Sequence, residues 1–83
     1  MKIAFHPDVF KALQRLPRSA FPAVLTAIVA LADDPRPSGV RKLVGSERDW
    51  RIGIGEYRVV YEIDDAADRI VVMVVAHRRD VYR

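Results

Sequence analysis

Apolar residues recur along this chain with more than one period. Lys2-Ile3-Ala4-Phe5 alternates, which predicts a short strand with Ile3 and Phe5 turned inward. His6-Pro7-Asp8 breaks the alternation. Proline is tolerated at the first helical position, so a helix starts at His6 or at Asp8. Val9, Phe10, Leu13 and Leu16 then follow at helical spacing, with Lys11, Gln14 and Arg15 on the other face, until Pro17 ends the helix. Ser19 is the expected N-cap of a second helix, and Pro22 lies within its first turn. Phe21, Val24, Leu25, Ile28, Leu31 and Ala32 make a wide apolar stripe. Asp33-Asp34-Pro35 stops it, because a residue before proline is pushed out of helical conformation. The short break between the two helices predicts an antiparallel helical hairpin.

Residues 36–49 carry proline, serine and glycine and read as a connecting loop anchored by Leu43 and Val44. From Trp50 to Ile63 the period becomes two. Trp50, Ile52 and Ile54 alternate with Arg51, Gly53 and Gly55; Tyr57, Val59, Tyr61 and Ile63 alternate with Arg58, Val60 and Glu62. A two-residue type II′ turn at Gly55-Glu56 would close a β-hairpin, since that turn wants glycine first. Ile54 then faces Tyr57, Ile52 faces Val59 and Trp50 faces Tyr61, all on the core side, while Arg51 and Arg58 project from the opposite side. Asp64-Asp65-Ala66-Ala67-Asp68 is a polar turn. Arg69 to His77 is nearly continuous in valine and isoleucine, which predicts a central strand buried on both faces. The order strand, two helices, three strands predicts a two-layer α+β domain over residues 1–83. Its N-terminal strand and helical hairpin pack on one face of an antiparallel sheet. On the core side, Phe10, Leu13, Val24 and Ile28 should meet Trp50, Ile52, Val59 and Tyr61.

At 83 residues, 51% hydrophobic and 30% charged, the chain holds one modest core and is too ordinary in balance to be disordered. The absence of cysteine excludes a disulfide, a thiolate nucleophile and a cysteine-held metal. Two separated histidines give no basis for a metal site, and no cofactor is expected. No apolar run approaches the roughly 20 residues that span a bilayer, and only Met1 and Lys2 precede the first apolar residue, so a cytoplasmic protein with no membrane association is expected. The net charge of +3 rests on fourteen basic residues, eleven of them arginine. It leans toward a polyanionic partner, although a GC-rich genome would also favour arginine over lysine.

The residues with chemical potential lie on the uncovered sheet face and in the tail: Arg51, Arg58, His77, Arg78, Arg79 and Tyr82. Clustered arginines suit a phosphate-bearing partner, because the guanidinium fork matches two phosphate oxygens. Pairing with Glu56, Glu62 and Asp80 is the equal alternative. His77 is either a general base near neutral pH or a strand-end histidine satisfied by the backbone. On pattern alone, Tyr82 reads as a packing anchor.

The run Trp50-Arg51-Ile52-Gly53-Ile54-Gly55-Glu56-Tyr57-Arg58-Val59-Val60-Tyr61-Glu62-Ile63 resembles the central hairpin of the RelE/ParE toxin superfamily. The closing His77-Arg78-Arg79-Asp80-Val81-Tyr82-Arg83 resembles the end of its RelE branch. Leu31 to Gly39 and Lys42-Leu43-Val44-Gly45 match its helix-to-strand connection. The resemblance covers the whole chain in order.

It implies the toxin of a type II toxin–antitoxin pair, an mRNA interferase that enters the ribosomal A site and cuts mRNA without a metal. The ribose 2′-OH attacks the adjacent phosphate and leaves a 2′,3′-cyclic phosphate. By the same resemblance Arg58, Arg78, Tyr82 and His77 are the catalytic candidates, and Arg51, Arg79 and Arg83 the RNA-binding ones. The implied partners are a cognate antitoxin in a hetero-oligomer, the ribosome with its mRNA, and operator DNA only through the antitoxin. Some RelE proteins carry a second lysine where this chain has Gly53, so one proposed base is absent here. The other readings are a ParE-like inhibitor of DNA gyrase and an inactive homologue that acts only with its antitoxin in operon repression.

Overall fold

The computed structural model describes residues 1–81, so the expected roles of Tyr82 and Arg83 lie outside the described residues. Strand β1 (Lys2–Phe5) leads into helices α1 (Pro7–Arg15) and α2 (Phe21–Ala30). Strands β2 (Arg41–Lys42), β3 (Asp49–Ile54), β4 (Tyr57–Asp64) and β5 (Arg69–His77) follow, and a single turn, α3 (Arg78–Val81), closes the chain. The strands form one sheet in the order β1-β5-β4-β3-β2. Helix α1 lies against β5 and α2 against β3, giving the two layers that the pattern predicts.

Helix α1 begins where proline allows. His6 is the N-cap, and its Nδ1 accepts a hydrogen bond from the Asp8 amide at 3.2 Å. Ser19 does not cap α2. Ala20 holds that position with no side-chain bond, and the amides of Ala20 and Phe21 instead donate to the Pro17 carbonyl at 2.9 and 3.0 Å. A tight turn has satisfied the free helix amides that a serine hydroxyl would otherwise take.

The β3–β4 hairpin has the expected register: Ile54 opposite Tyr57, Ile52 opposite Val59, Trp50 opposite Tyr61. Gly55 sits at φ +59°, and Glu56 has no positive φ, as a type II′ turn requires. Val59, Tyr61, Ile63, Ile70, Val72 and Val75 form the sheet side of the core, and Val9, Val24, Ile28 and Leu31 the helical side. Leu13, Trp50 and Ile52 pack around them, half-buried. Each aliphatic side chain fully buried here contributes on the order of 1.5–3 kcal/mol.

Several expectations change in detail. Strand β1 is not laid over the sheet but joins it, parallel to β5, with Ile3 opposite Ile70 and Phe5 opposite Val72. The Lys2 amide donates to the Asp68 carbonyl at 3.0 Å and the His6 amide to that of Val72 at 2.8 Å. Strand β5 therefore has neighbours on both sides, but only one of its faces is covered; Val74 is 41% exposed. The central strand is β4. Phe10 is 53% exposed and stacks at 5.5 Å on Phe5 instead of entering the core. Its place is taken by Val9, one residue earlier around the helix. The supposed loop contains β2, which pairs Arg41 with Arg51 and Lys42 with Trp50. Leu43 is half-buried there, but Val44 is fully exposed and anchors nothing.

Pairing between β4 and β5 shifts at Val60/Tyr61. Val60 lies opposite Val74 and Tyr61 opposite Val72, so Met73 is an extra residue on β5. Such a bulge changes which alternate residues face inward. Ile70 and Val72 point to the core before it, and Val75 does after it.

The fully buried Tyr61 ties the connection after α2 to the sheet. Its hydroxyl donates to the Pro35 carbonyl at 2.7 Å. The next residue, Arg36, lies over the Trp50 ring at 5.2 Å and pairs with Asp65 at 2.9 Å. Burial pushes the Tyr61 phenol up to about 12; Arg36 nearby lowers it and Asp34 raises it. A raised folded-state value means that this contribution is complete below the ordinary phenol pKa of about 10 and is lost as pH rises from there toward 12. Denaturant melts should show Tyr61→Phe destabilised by about 1 kcal/mol at neutral pH. The parent should lose more stability than the variant between pH 10 and 12, and equal losses would mean that the hydroxyl is not the buried donor.

Candidate anion-binding face

Because alternate residues of a strand face opposite sides, inward placement of Ile52, Val59 and Tyr61 sends Arg51, Arg58 and Val60 outward. Arg51 stands opposite Val60 and Gly53 opposite Arg58, so the two arginines are diagonal neighbours across the hairpin. Strand β2 adds a third, since Arg41 pairs with Arg51. Gly39, Arg41, Arg51, Gly53 and Arg58 surround an open concavity of about 320 Å³.

Arg58 is the best defined of the three. Its Nη1 donates to the carbonyls of Tyr57 at 2.9 Å and Gly55 at 3.2 Å, so the guanidinium is braced on its own hairpin turn. It makes no ion pair among the described residues. Of the acids proposed as alternative partners, Glu56 is directed elsewhere, its carboxylate lying 3.3 Å from His77 Nε2. Arg36 and Arg48 are paired with Asp65 and Asp64. Three cations gathered around this open hollow suit an anion, which guanidinium groups hold through charge-assisted bonds.

The C-terminal candidates meet the same turn from another direction. The Arg78 amide donates to the Glu56 carbonyl at 2.7 Å, which sets the start of α3 beside the hairpin tip. Arg78 and Arg79 are exposed there. His77 stands elsewhere. It pairs with Tyr57, and the two rings meet edge-on at 5.5 Å on the helix side of the sheet. There it borders a groove with Ala12, Arg15, Leu16 and Asp80. Its Nδ1 accepts from the Arg79 amide at 3.3 Å, which leaves Nε2 to donate to Glu56. The fold thus gathers Arg51 and Arg58 on one face, sets Arg78 and Arg79 at its end, and puts His77 behind it.

Two members of the face escaped sequence reading. Arg41 lay in the supposed loop, and Val40-Arg41-Lys42-Leu43 carries no period-two alternation that would have marked a strand there. Gly53 has no side chain to read, yet it forms the floor beneath Arg58.

Residues 3–82 match the family model described as ParE toxin of type II toxin–antitoxin system, parDE. A search of curated proteins returned no match. Among solved structures, the archaeal RelE–RelB complex from Pyrococcus horikoshii OT3 is similar at 29% identity and a TM-score of 0.82, over 93% of each chain. The toxin–antitoxin complex RelBE2 from Mycobacterium tuberculosis is similar at 26% identity and 0.78, over 93% of this chain and 96% of that one. The isolated E. coli RelE toxin shares the fold at 24% identity and 0.80, over 98% and 89%.

If this face holds phosphates, its arginines should appear in the salt dependence of binding to a short single-stranded RNA. Arg41→Ala and Arg58→Ala should each lower the slope of log K against log [salt] by about 0.7. Arg36→Ala, whose guanidinium is occupied by Asp65 and Trp50, should leave it unchanged. Equal slopes for all three variants would place the polyanion contact elsewhere.

Proposed function

The chain belongs to the RelE/ParE superfamily as the toxin of a type II toxin–antitoxin system, and we propose that it is a ribosome-dependent endoribonuclease that cuts mRNA in the A site. The observation that carries this reading is the Arg41, Arg51 and Arg58 face, with its hollow open to an anion. A guanidinium braced on the backbone beside this cationic hollow supports an anionic ligand.

In the proposed reaction the ribose 2′-oxygen attacks the neighbouring phosphorus as its proton passes to a base. The bond to the departing 5′-oxygen breaks, that oxygen takes up a proton, and a 2′,3′-cyclic phosphate remains. Negative charge gathers on the non-bridging oxygens during attack. Arg58 is given the role of meeting that charge, with Arg78 entering from the end of the sheet. Arg51, Arg41 and Arg79 hold the flanking backbone, and Arg83 is assigned the same role. Proton transfer is assigned to Tyr82. A phenol of ordinary pKa near 10 needs roughly 4 kcal/mol of help to serve as a base at neutral pH, and guanidinium groups, were they to lie beside it, would supply a field of the right sign. His77, engaged with Glu56 behind the sheet, is given no proton to move.

The relatives solved with RelB support a cognate antitoxin as partner of this chain. The family model, described by ParE, favours a second reading, inhibition of DNA gyrase. One pair of assays separates the two. Purified protein added to ribosomes translating a defined mRNA should give primer-extension stops within the A-site codon, and it should leave gyrase supercoiling untouched. Intact mRNA together with blocked supercoiling would install the second reading.

A further inference from the structure

We propose that Gly53 is a positioning residue whose missing side chain seats Arg58 for anion binding, an inference that rests on the nuclease reading above only for its biological role. Gly53 does not have the left-handed backbone that would by itself demand glycine. What it supplies is space. A Cβ built on it would lie 2.7 Å from Nη1, 2.9 Å from Cζ and 3.3 Å from Nε of Arg58. The first two distances are shorter than real Cβ atoms approach. The guanidinium therefore lies flat over this one residue of β3, directly across the ladder from its own backbone.

Gly53 and the turn act together on a long side chain. The floor lets the guanidinium lie against the sheet, and the carbonyls of Gly55 and Tyr57 take both bonds from Nη1. Nε and Nη2 are left without partners among the described residues. An arginine that spends one terminal nitrogen on the backbone keeps one side edge, Nε–H with an Nη2–H, as a two-pronged fork for two phosphate oxygens. The hollow shared with Arg41 and Arg51 lies beside it. Alanine at 53 would lift the guanidinium off this floor while leaving the charge in place. Orientation would be lost, with charge and fold retained.

The test is a double-mutant cycle of Gly53→Ala and Arg58→Ala, read by the side-chain Nε–H resonances of ¹⁵N-labelled protein titrated with inorganic phosphate. Gly53→Ala should melt at the parental temperature and shift the Arg58 resonance toward that of a free arginine. It should also weaken phosphate binding about tenfold, a change of roughly 1.4 kcal/mol. In the Arg58→Ala background the same substitution should change nothing further. An unmoved Arg58 resonance and unchanged phosphate affinity in Gly53→Ala would overturn the proposal. So would an equal additional loss in the Arg58→Ala background, which would mean that Gly53 acts on something else, and so would a parent in which phosphate moves no Arg58 signal. Because these readouts need no ribosome, coupling between the two residues in a protein that leaves mRNA intact would uphold the seat and defeat only the nuclease reading.

Discussion

The register of the β3–β4 hairpin is the constraint on which the rest depends. A two-residue turn with Gly55 at φ +59° sets Trp50 opposite Tyr61 and Ile52 opposite Val59. Because strand side chains repeat every two residues, a slip of one would expose that whole apolar set and drive Arg51 and Arg58 into the core. Burying two guanidinium groups costs far more than any local gain in pairing. One choice of pairing therefore specifies both a core that closes against Val24 and Ile28 and a cationic outer face. In this small domain stability and the candidate site are not independent properties.

The bulge at Met73 modifies that rule at one place. Counting alternately from Ile70 and Val72 would send Val74 and Ala76 inward and His77 outward, toward the arginines. The extra residue reverses this: Val75 enters the core, and His77 turns to meet Tyr57 and Glu56. The histidine then braces the hairpin tip from behind while Arg58 is braced from in front, and both hold the same turn. The Arg78 amide holds it a third time through the Glu56 carbonyl. Gly55-Glu56 is thus the junction at which the sheet, the candidate site and the start of the C-terminal segment are tied together.

Much of this was legible in the sequence because it is local. The alternation from Trp50 to Ile63, the glycine at the turn and the prolines at the helix starts each act on neighbouring residues. What escaped depends on distant partners or on missing atoms. The parallel pairing of β1 with β5 joins chain segments more than sixty residues apart, and nothing in Lys2 to Phe5 specifies its direction. Strand β2 has two residues and exists only because β3 offers it an edge. Val44 has the composition of an anchor, yet it falls beyond the strand on a turn that faces solvent. The bulge carries no signature in a run of valines. For the site, Arg51 and Arg58 were readable from their shared parity. Arg41 required the edge strand, and the role of Gly53 is visible only as the space that it leaves for another side chain.

The central claim is that the chemistry belongs to the outer arginine face and not to the histidine behind it. It is tested most directly by single-turnover cleavage of ribosome-bound mRNA, comparing Arg58→Ala with His77→Gln in protein verified to be folded. Loss of one preorganised donor to the developing charge predicts a rate lower by on the order of 10²–10³ for Arg58→Ala. His77→Gln, which can keep a hydrogen bond to Glu56, should stay within about threefold of the parent, a difference of well under 1 kcal/mol. Parental cleavage by Arg58→Ala with a collapsed rate for His77→Gln would contradict the account.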